Sequence, residues 1–367
     1  MAITSVERFR LSNFNSFWGV HHCFILFFAF LFAHAPEFWL YSIGAVVLYA
    51  LERVFRELRN KKERIVTEVI AHPSDVIEIR IANSSHPVAY RAGQWVYLKC
   101  PEVSMWEWHP FTISSAPSDP YLSVHIRCYG DWTKGVRDLI APANLSSTES
   151  RRLPLNKSLS PKGTPLLRLD GAYGSASDLC LNWKHGPVVL VGAGIGVTPF
   201  ASVLKELEHR LAGRGKPPRA PRFYFFWSLR SYTAFEWFRD MLVSLEKSLI
   251  EMGCGEMLDI NIYVTGRFGV DDIHSLHRNI TPLSSDLKKA AKQAMDTPAS
   301  SSSNADYLPA SQLLDDSNQQ QVATGDALTG LVAGTNYGRP NFPLIFDRIA
   351  KAHPNTTVGI FLCGPRG

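Results

Sequence analysis

The chain has 367 residues, 46% hydrophobic and 19% charged, with a formal net charge of +5. That composition excludes collagen-like and wholly disordered classes, and the charge is too small and too scattered to argue for nucleic acid. The six cysteines (Cys23, Cys100, Cys128, Cys180, Cys254, Cys363) form no CxxC pair and no metal-ligand spacing, so a disulfide framework is excluded and free thiols are the default outside a membrane.

Leu11 to Pro36 contains no Lys, Arg, Asp or Glu. Within it, Phe17 to Ala35 approaches the ~20 apolar residues of a spanning helix. Its lipophilic side chains favour insertion by about 3 to 6 kcal/mol, enough to carry His21, His22 and His34. A cleaved signal peptide fits poorly, because no small-residue cleavage site follows. Phe38 to Leu51 is a second apolar run, extending to Phe55 with Arg53 snorkelling. Arg53, Arg56, Arg59, Lys61, Lys62 and Arg64 follow, whereas the loop Ala35 to Phe38 carries no basic residue. The positive-inside rule puts both ends of this hairpin, and everything after residue 60, in the cytosol; the alternative is an amphipathic hairpin lying on the membrane surface. Histidine in a span is a functional candidate. On a continuous helix His21 and His34 are separated by a rise of about 20 Å, too far to share one metal. Each can instead ligate one of two haems stacked across the bilayer. His22 rivals His21 on angle, and hydrogen bonding between helices is the structural alternative.

From Arg64 the pattern becomes short alternating runs. Val66 to Ile70, Val76 to Ile81, Trp95 to Cys100 and Leu122 to Arg127 read as strands of a small antiparallel barrel. In the last, Ser123, His125 and Arg127 share the polar face. Between them lies His109-Pro110-Phe111-Thr112-Ile113-Ser114-Ser115, whose aromatic, hydroxyl and paired serines suit a flat polar ring system. Arg127 is the candidate cation for a pyrophosphate.

His109-Pro110-Phe111-Thr112, then Ser114-Ser115-Ala116-Pro117, His125-Ile126-Arg127 and Gly130-Asp131-Trp132-Thr133 resemble the flavin domain of the NADPH oxidase family, within the wider ferric reductase and ferredoxin-reductase-like group. The resemblance implies FAD, held by His109, Pro110, Phe111, Thr112, Ser114, Ser115 and Arg127. It also implies haem ligation by His21, in preference to His22, and by His34. Asp170-Gly171-Ala172-Tyr173-Gly174 is similar to the family's turn at the domain junction, with Ala172 in place of proline; Gly171 and Tyr173 join the FAD set. The Ser- and basic-rich stretch from about Pro142 to Leu166 reads as an inserted loop.

Pro187 to Val191 is the continuous apolar run of a buried parallel strand. It feeds Gly192-Ala193-Gly194-Ile195-Gly196-Val197-Thr198-Pro199, where Thr198 suits an N-cap and Pro199 the first helical position of a helix to about Leu211. Free N–H groups at such a start attract an anion. The string is not GxGxxG, but it resembles the family's pyridine-nucleotide turn. After a second strand, Phe223 to Trp227, comes Arg230 where an NAD-selective site would place an acid, which leans toward NADPH. Phe235-Glu236-Trp237-Phe238 opens a helix. Ile262 to Gly266 is a third strand and turn, and the polar stretch from about Ser284 to Leu328 reads as a disordered insertion. Arg339 adds charge near the adenine phosphate, a helix covers Pro343 to Ala352, and a last strand, Thr357 to Leu362, delivers Cys363-Gly364-Pro365. In the family this turn places the thiol beside the nicotinamide.

The resemblance covers the family's last two transmembrane helices and most of its reductase part. It implies a truncated chain that lacks the second histidine of each haem and a C-terminal aromatic over the flavin. The expected architecture is an α-helical membrane hairpin (1–60), an antiparallel β-barrel FAD domain (61–184) and an α/β parallel-sheet NADPH domain (185–367). The implied function is electron transfer from cytosolic NADPH through FAD and haem to molecular oxygen, generating superoxide. Membrane lipid and regulatory protein subunits are the implied partners. The alternatives are a ferric-chelate reductase using the same path and a non-catalytic membrane-tethered fragment.

Overall fold

The computed structural model describes residues 14–35, 37–60, 63–83, 87–140, 150–153, 166–174, 176–266, 329–332 and 334–365. The inserted loop expected near 142–166 and the polar insertion expected at 284–328 lie largely or wholly outside these residues. The chain divides into two units, Met1–Lys62 and Glu63–Gly367.

In the first unit, α1 (Phe14–His21), α2 (Phe24–His34) and α3 (Phe38–Arg59) form the hairpin. The stretches Ser16–His34 and Phe38–Leu58 are long and apolar enough to cross a membrane, and their large side chains, among them Phe27, Phe30, Leu48 and Phe55, are exposed within the protein. The first stretch is not one helix, as the hydropathy predicts, because it breaks at His22 and Cys23. There the backbone tightens to i→i−3 bonding, with Cys23 N–H donating to Val20 O and Ile25 N–H to His22 O. The His22 ring turns back, its Nδ1 2.8 Å from Trp18 O. His21 therefore ends α1 and His34 ends α2, so the uniform rise expected between them does not apply across the break.

The second unit begins with the antiparallel sheet β4-β3-β7-β1-β2-β5, with β6 (Arg151–Leu153) beside β1. Its strands are β1 (Glu63–His72), β2 (Val76–Ala82), β3 (Trp95–Lys99), β4 (His109–Thr112), β5 (Tyr121–Arg127) and β7 (Leu166–Tyr173). A bridge between Ile113 and Val124 joins the two edges and closes the barrel. The alternation read from the sequence is realised, since Ile77, Ile79, Ile81, Val96, Leu98, Leu122, Val124 and Ile126 form one core. Each such side chain contributes about 1.5–3 kcal/mol on burial. The amphipathic helix α4 (Asp131–Ile140) inserts Trp132, Val136 and Ile140 into that core. No helix was expected there.

The parallel sheet follows, in the order β11-β10-β9-β8-β12, built from β8 (Val188–Ala193), β9 (Phe223–Leu229), β10 (Leu258–Val264), β11 (Asn336–Tyr337) and β12 (Gly359–Cys363). Its apolar runs are continuous because both faces are covered. Val188, Leu190, Phe223, Phe225 and Trp227 pack with α5 (Thr198–Leu211) and α6 (Arg239–Glu251). Val189, Val191, Tyr224 and Phe226 pack with α7 (Phe342–Ala352). Two local expectations change. Gly194–Val197 is a 3-10 turn, so Val197 rather than Thr198 is the N-cap of α5, and the Thr198 hydroxyl donates to Ile195 O at 3.1 Å. Phe235-Glu236-Trp237 lies in a 3-10 turn, Tyr232–Trp237, with α6 starting only at Arg239.

Barrel and parallel sheet meet along one stripe of α5. The Ser202 hydroxyl donates to Ser115 O at 2.6 Å and accepts from Gly93 N–H at 3.3 Å, all of it buried. On the next turns Glu206 accepts from the Ser118 hydroxyl at 3.2 Å, and Asp119 lies 3.2 Å from His209 and 3.8 Å from Lys205. These positions fall at i, i+3, i+4 and i+7, one helical face. A second contact joins the β1–β2 hairpin to the Tyr232–Trp237 turn. Trp237 Nε1–H donates to Pro73 O at 2.8 Å, and the His125 ring packs 4.3 Å from that of Phe238. Burial pushes the His125 imidazole down to about 3, so it is neutral.

Replacing Ser202 by Ala leaves a buried carbonyl and a buried N–H unpaired at the first contact. The expected cost is about 1–3 kcal/mol, read as a lower denaturant midpoint for the full chain in detergent.

Candidate active site

Strand alternation divides the His109–Thr112 motif between two faces. His109 stacks on Trp132 with ring centroids 4.2 Å apart, and Phe111 stacks on the same indole at 5.9 Å. Pro110 and Thr112 pair across the ladder with Tyr97 and Trp95, and paired residues share a face. Tyr173 joins them, its ring 4.9 Å from Trp95 and 5.7 Å from Tyr97. Trp95, Tyr97, Tyr173, Pro110 and Thr112 thus make a half-exposed aromatic face with a hydroxyl at its edge. Flat π-systems stack on such a face. Gly171 lets β7 approach β3 closely, since a Cβ there would sit 3.3 Å from Trp95 O at φ +133°.

Ser114 and Ser115, expected beside the ring, are fully buried and their hydroxyls are paired inside the protein. Ser114 Oγ lies 2.8 Å from both Ser123 Oγ and His125 Nδ1; Ser115 Oγ accepts from Ser123 N–H at 2.9 Å and lies 2.8 Å from Tyr90 Oη. Their side chains brace the joint rather than offer a free edge. Arg127 is exposed at the end of β5, unlike Ser123 and His125, which are buried on the strand face expected to carry all three. Trp95 and Tyr97 were not singled out in the sequence; their alternation across Val96 was the available signal.

The nucleotide candidates gather at the carboxyl ends of the parallel strands, where open α/β sheets bind ligands. Gly192 lies at the end of β8, Gly194 and Gly196 follow it, Arg230 follows β9, Arg339 follows β11, Cys363 ends β12, and Gly364 and Pro365 follow. Strand order reverses between β8 and β12, and the two turns touch there. A Cβ on Gly196 would fall 2.5 Å from Cys363 O and 2.9 Å from Gly364 Cα, and one on Gly364 would fall 2.7 Å from Ala193 Cβ. Only hydrogen fits at these positions. Thr198 and Pro199 open α5 directly behind this turn, buried. Cys363 is half-buried in register with Gly192, and burial pushes its thiol up, so it is neutral at neutral pH. Arg230 and Arg339 are exposed.

The residues present fit the cofactors that the resemblance implies. The aromatic face suits an isoalloxazine ring, and the glycine turn with the helix start suits a pyrophosphate. In the hairpin unit, the exposed rings of His21 and His34 suit haem ligation. His21 stacks with Phe17 at 5.5 Å, while the Nδ1 of His22 is engaged by Trp18 O.

Residues 61–177 match an FAD-binding domain family, and residues 185–367 match the ferric reductase NAD binding domain family. A superoxide-generating NADPH oxidase heavy chain of Dictyostelium discoideum is 33% identical over 100% of this chain and 62% of its own length. Human NADPH oxidase 3 is 32% identical over 99% of this chain and 61% of its own. Respiratory burst oxidase homolog protein B of rice is 29% identical over 97% of this chain and 38% of its own. The chain thus spans about three fifths of the first two relatives, and less of the third.

Gly196→Ala tests the contact between the two turns. A methyl group at this position drives the Cys363 turn away from the sheet, and a displacement of about 1 Å costs up to ~100-fold in a positioned transfer. The expected result is a slowed bleaching of bound flavin by NADPH in stopped flow, with flavin content unchanged.

Proposed function

We infer that the chain is a member of the NADPH oxidase family, and propose that it oxidises cytosolic NADPH and passes the electrons, by way of FAD and haem, across a membrane to molecular oxygen, generating superoxide. The observation that carries the reading is the close contact of the β8 and β12 turns at the point where strand order reverses, on the same helix that clamps the flavin-side segment through Ser202. Flavin, when bound, supplies the conversion of a two-electron hydride donor into single-electron steps.

The chain's own residues have separable tasks in this reading. Backbone N–H groups of the Gly192–Gly196 turn hold the nucleotide pyrophosphate, and Arg230 receives the 2′-phosphate that distinguishes NADPH from NADH. Arg339 adds charge on the adenine side. Cys363, with Gly364 and Pro365, lies beside the nicotinamide, where a neutral thiol is not a competing nucleophile. The aromatic face of Trp95, Tyr97 and Tyr173 carries the flavin ring, with Pro110 and Thr112 at its border. His109 and Phe111 support that border from beneath through Trp132, and Arg127 answers the FAD phosphates from the end of β5. His21 and His34 each ligate one haem within the bilayer, and lipid surrounds the hairpin. The reductase unit lies in the cytosol, as the basic residues after the second span imply, and regulatory proteins would act there.

A ferric-chelate reductase is the second reading, favoured by the family description of residues 185–367. Adding NADPH to the full chain in detergent should bleach the flavin absorbance; an unchanged spectrum would instead support a non-catalytic fragment. Superoxide formation measured against ferric-chelate reduction separates the two acceptors. Arg230→Ala should raise KM for NADPH about tenfold or more, the worth of a charge-assisted hydrogen bond, and leave KM for NADH nearly unchanged. Equal effects on both nucleotides would remove Arg230 from the 2′-phosphate site.

A further inference from the structure

Three neighbouring barrel strands bring His72, Glu78 and His125 together. Glu78 on β2 pairs directly with His125 on β5 and, on its other side, with Ile70 on β1; His72 lies two residues beyond Ile70 on the same face. All three are more than nine-tenths buried, at 5%, 4% and 6% exposure. The two imidazoles stack with centroids 5.2 Å apart. Their candidate ligand atoms and a Glu78 oxygen all lie within 4.8 Å of one another. Trp237, Phe238 and Met241 cover the cluster from the nucleotide side, and a cavity of about 220 Å³ opens on it.

The hydrogen bonds around His72 determine which of its nitrogens carries the lone pair. Ser150 donates its only hydrogen to Glu236 O at 3.2 Å, so at 2.7 Å from His72 Nδ1 it accepts from that ring. The second nitrogen of a neutral His72 is then an acceptor. That atom, Nε2, has no hydrogen-bond partner among the described residues and lies 3.8 Å from Glu78 Oε2. A lone pair facing a carboxylate in a buried site is electrostatically unfavourable without a cation between them. His125 lies with its Nδ1 2.8 Å from Ser114 Oγ, and its Nε2, like that of His72, has no hydrogen-bond partner among the described residues. Serine hydroxyls on the outer nitrogens are the kind of support that orients metal-binding imidazoles. Arg80 engages Glu78 Oε1 at 2.8 Å and Oε2 at 3.2 Å, and is itself balanced by Glu68 at 2.7 Å. Glu78 Oε2 keeps a lone pair for a further partner.

We propose that His72 Nε2, His125 Nε2 and Glu78 Oε2 bind a divalent transition metal of the zinc type at the joint between barrel and parallel sheet, with water in the remaining position. Two imidazoles and a carboxylate suit zinc or cobalt and disfavour the all-oxygen cations. The ion neutralises facing lone pairs beneath Phe238 and so stiffens the joint. It takes no part in electron transfer, and the assignment is independent of the acceptor used.

The test is metal binding by the full chain in detergent, stripped with a chelator and titrated with Co2+ and then Zn2+. The expected result is one Co2+ per chain with the intense visible bands of a four-coordinate ion, displaced by Zn2+. These bands should be lost in His72→Ala and His125→Ala, with Co2+ affinity falling at least tenfold in Glu78→Gln. His72→Cys keeps a ligand and should add a thiolate-to-cobalt charge-transfer band, which decides the matter if the alanine variants do not fold. Absence of cobalt bands in the unaltered chain overturns the proposal and leaves a water molecule or a charged imidazole between the side chains. Bands that persist in all the alanine variants, or a His72→Cys spectrum with no new band, also overturn it.

Discussion

The unit Glu63–Gly367 depends on one helix serving two partners. The start of α5 closes the glycine turn behind β8, and one turn further on Ser202 holds the Ser115 carbonyl and the Gly93 N–H. A helix is stiff over that length. The glycine turn and the Ser115 segment are therefore fixed to a common rigid body, which the proposed hydride transfer requires because it proceeds only at contact distance. The charged groups further along the same face (Lys205, Glu206 and His209) add register to a contact whose strength comes from its buried, fully paired centre.

The parallel sheet applies the same constraint at closer range. Cys363 and Gly192 are opposite one another in the ladder, and their following turns pack with no room for side chains. The ends of β8, β9, β11 and β12 carry the nucleotide candidates, although these are scattered from residue 192 to residue 365 in the chain. The parallel strands bring them to one edge because every strand runs in the same direction.

Much of this was legible in the sequence. Apolar runs at 188–191 and 223–227 give buried strands, and alternation at 76–81 and 122–127 gives barrel strands, because burial on two faces or one imposes those patterns. The glycine turn was legible through its string, but the 3-10 turn that displaces Thr198 from the cap was not, since it depends on how tightly β12 approaches. Helix α4 was hidden behind a motif read only for resemblance. The break at His22 was missed because hydropathy measures composition rather than hydrogen bonding. Ser114 and Ser115 show a different limit: residue type suggested a polar ring edge, whereas the surrounding hydroxyls and α5 pair them inside. The grouping of His72, Glu78 and His125 depends on pairing across three strands, and their spacing along the chain, 6 and then 47 residues, carries no local period.

The splitting of the His109–Thr112 motif has a consequence for how inherited or engineered damage there would express itself. Pro110 and Thr112 face outward, so a change at either alters the surface met by a ligand and leaves the barrel interior undisturbed. His109 and Phe111 rest on Trp132, which is anchored in the core by α4. Damage at those two positions loosens a foundation instead of removing a contact. Its signature is a heat-labile protein that loses its bound ring on warming, a class of defect that binding measurements at a single low temperature would overlook.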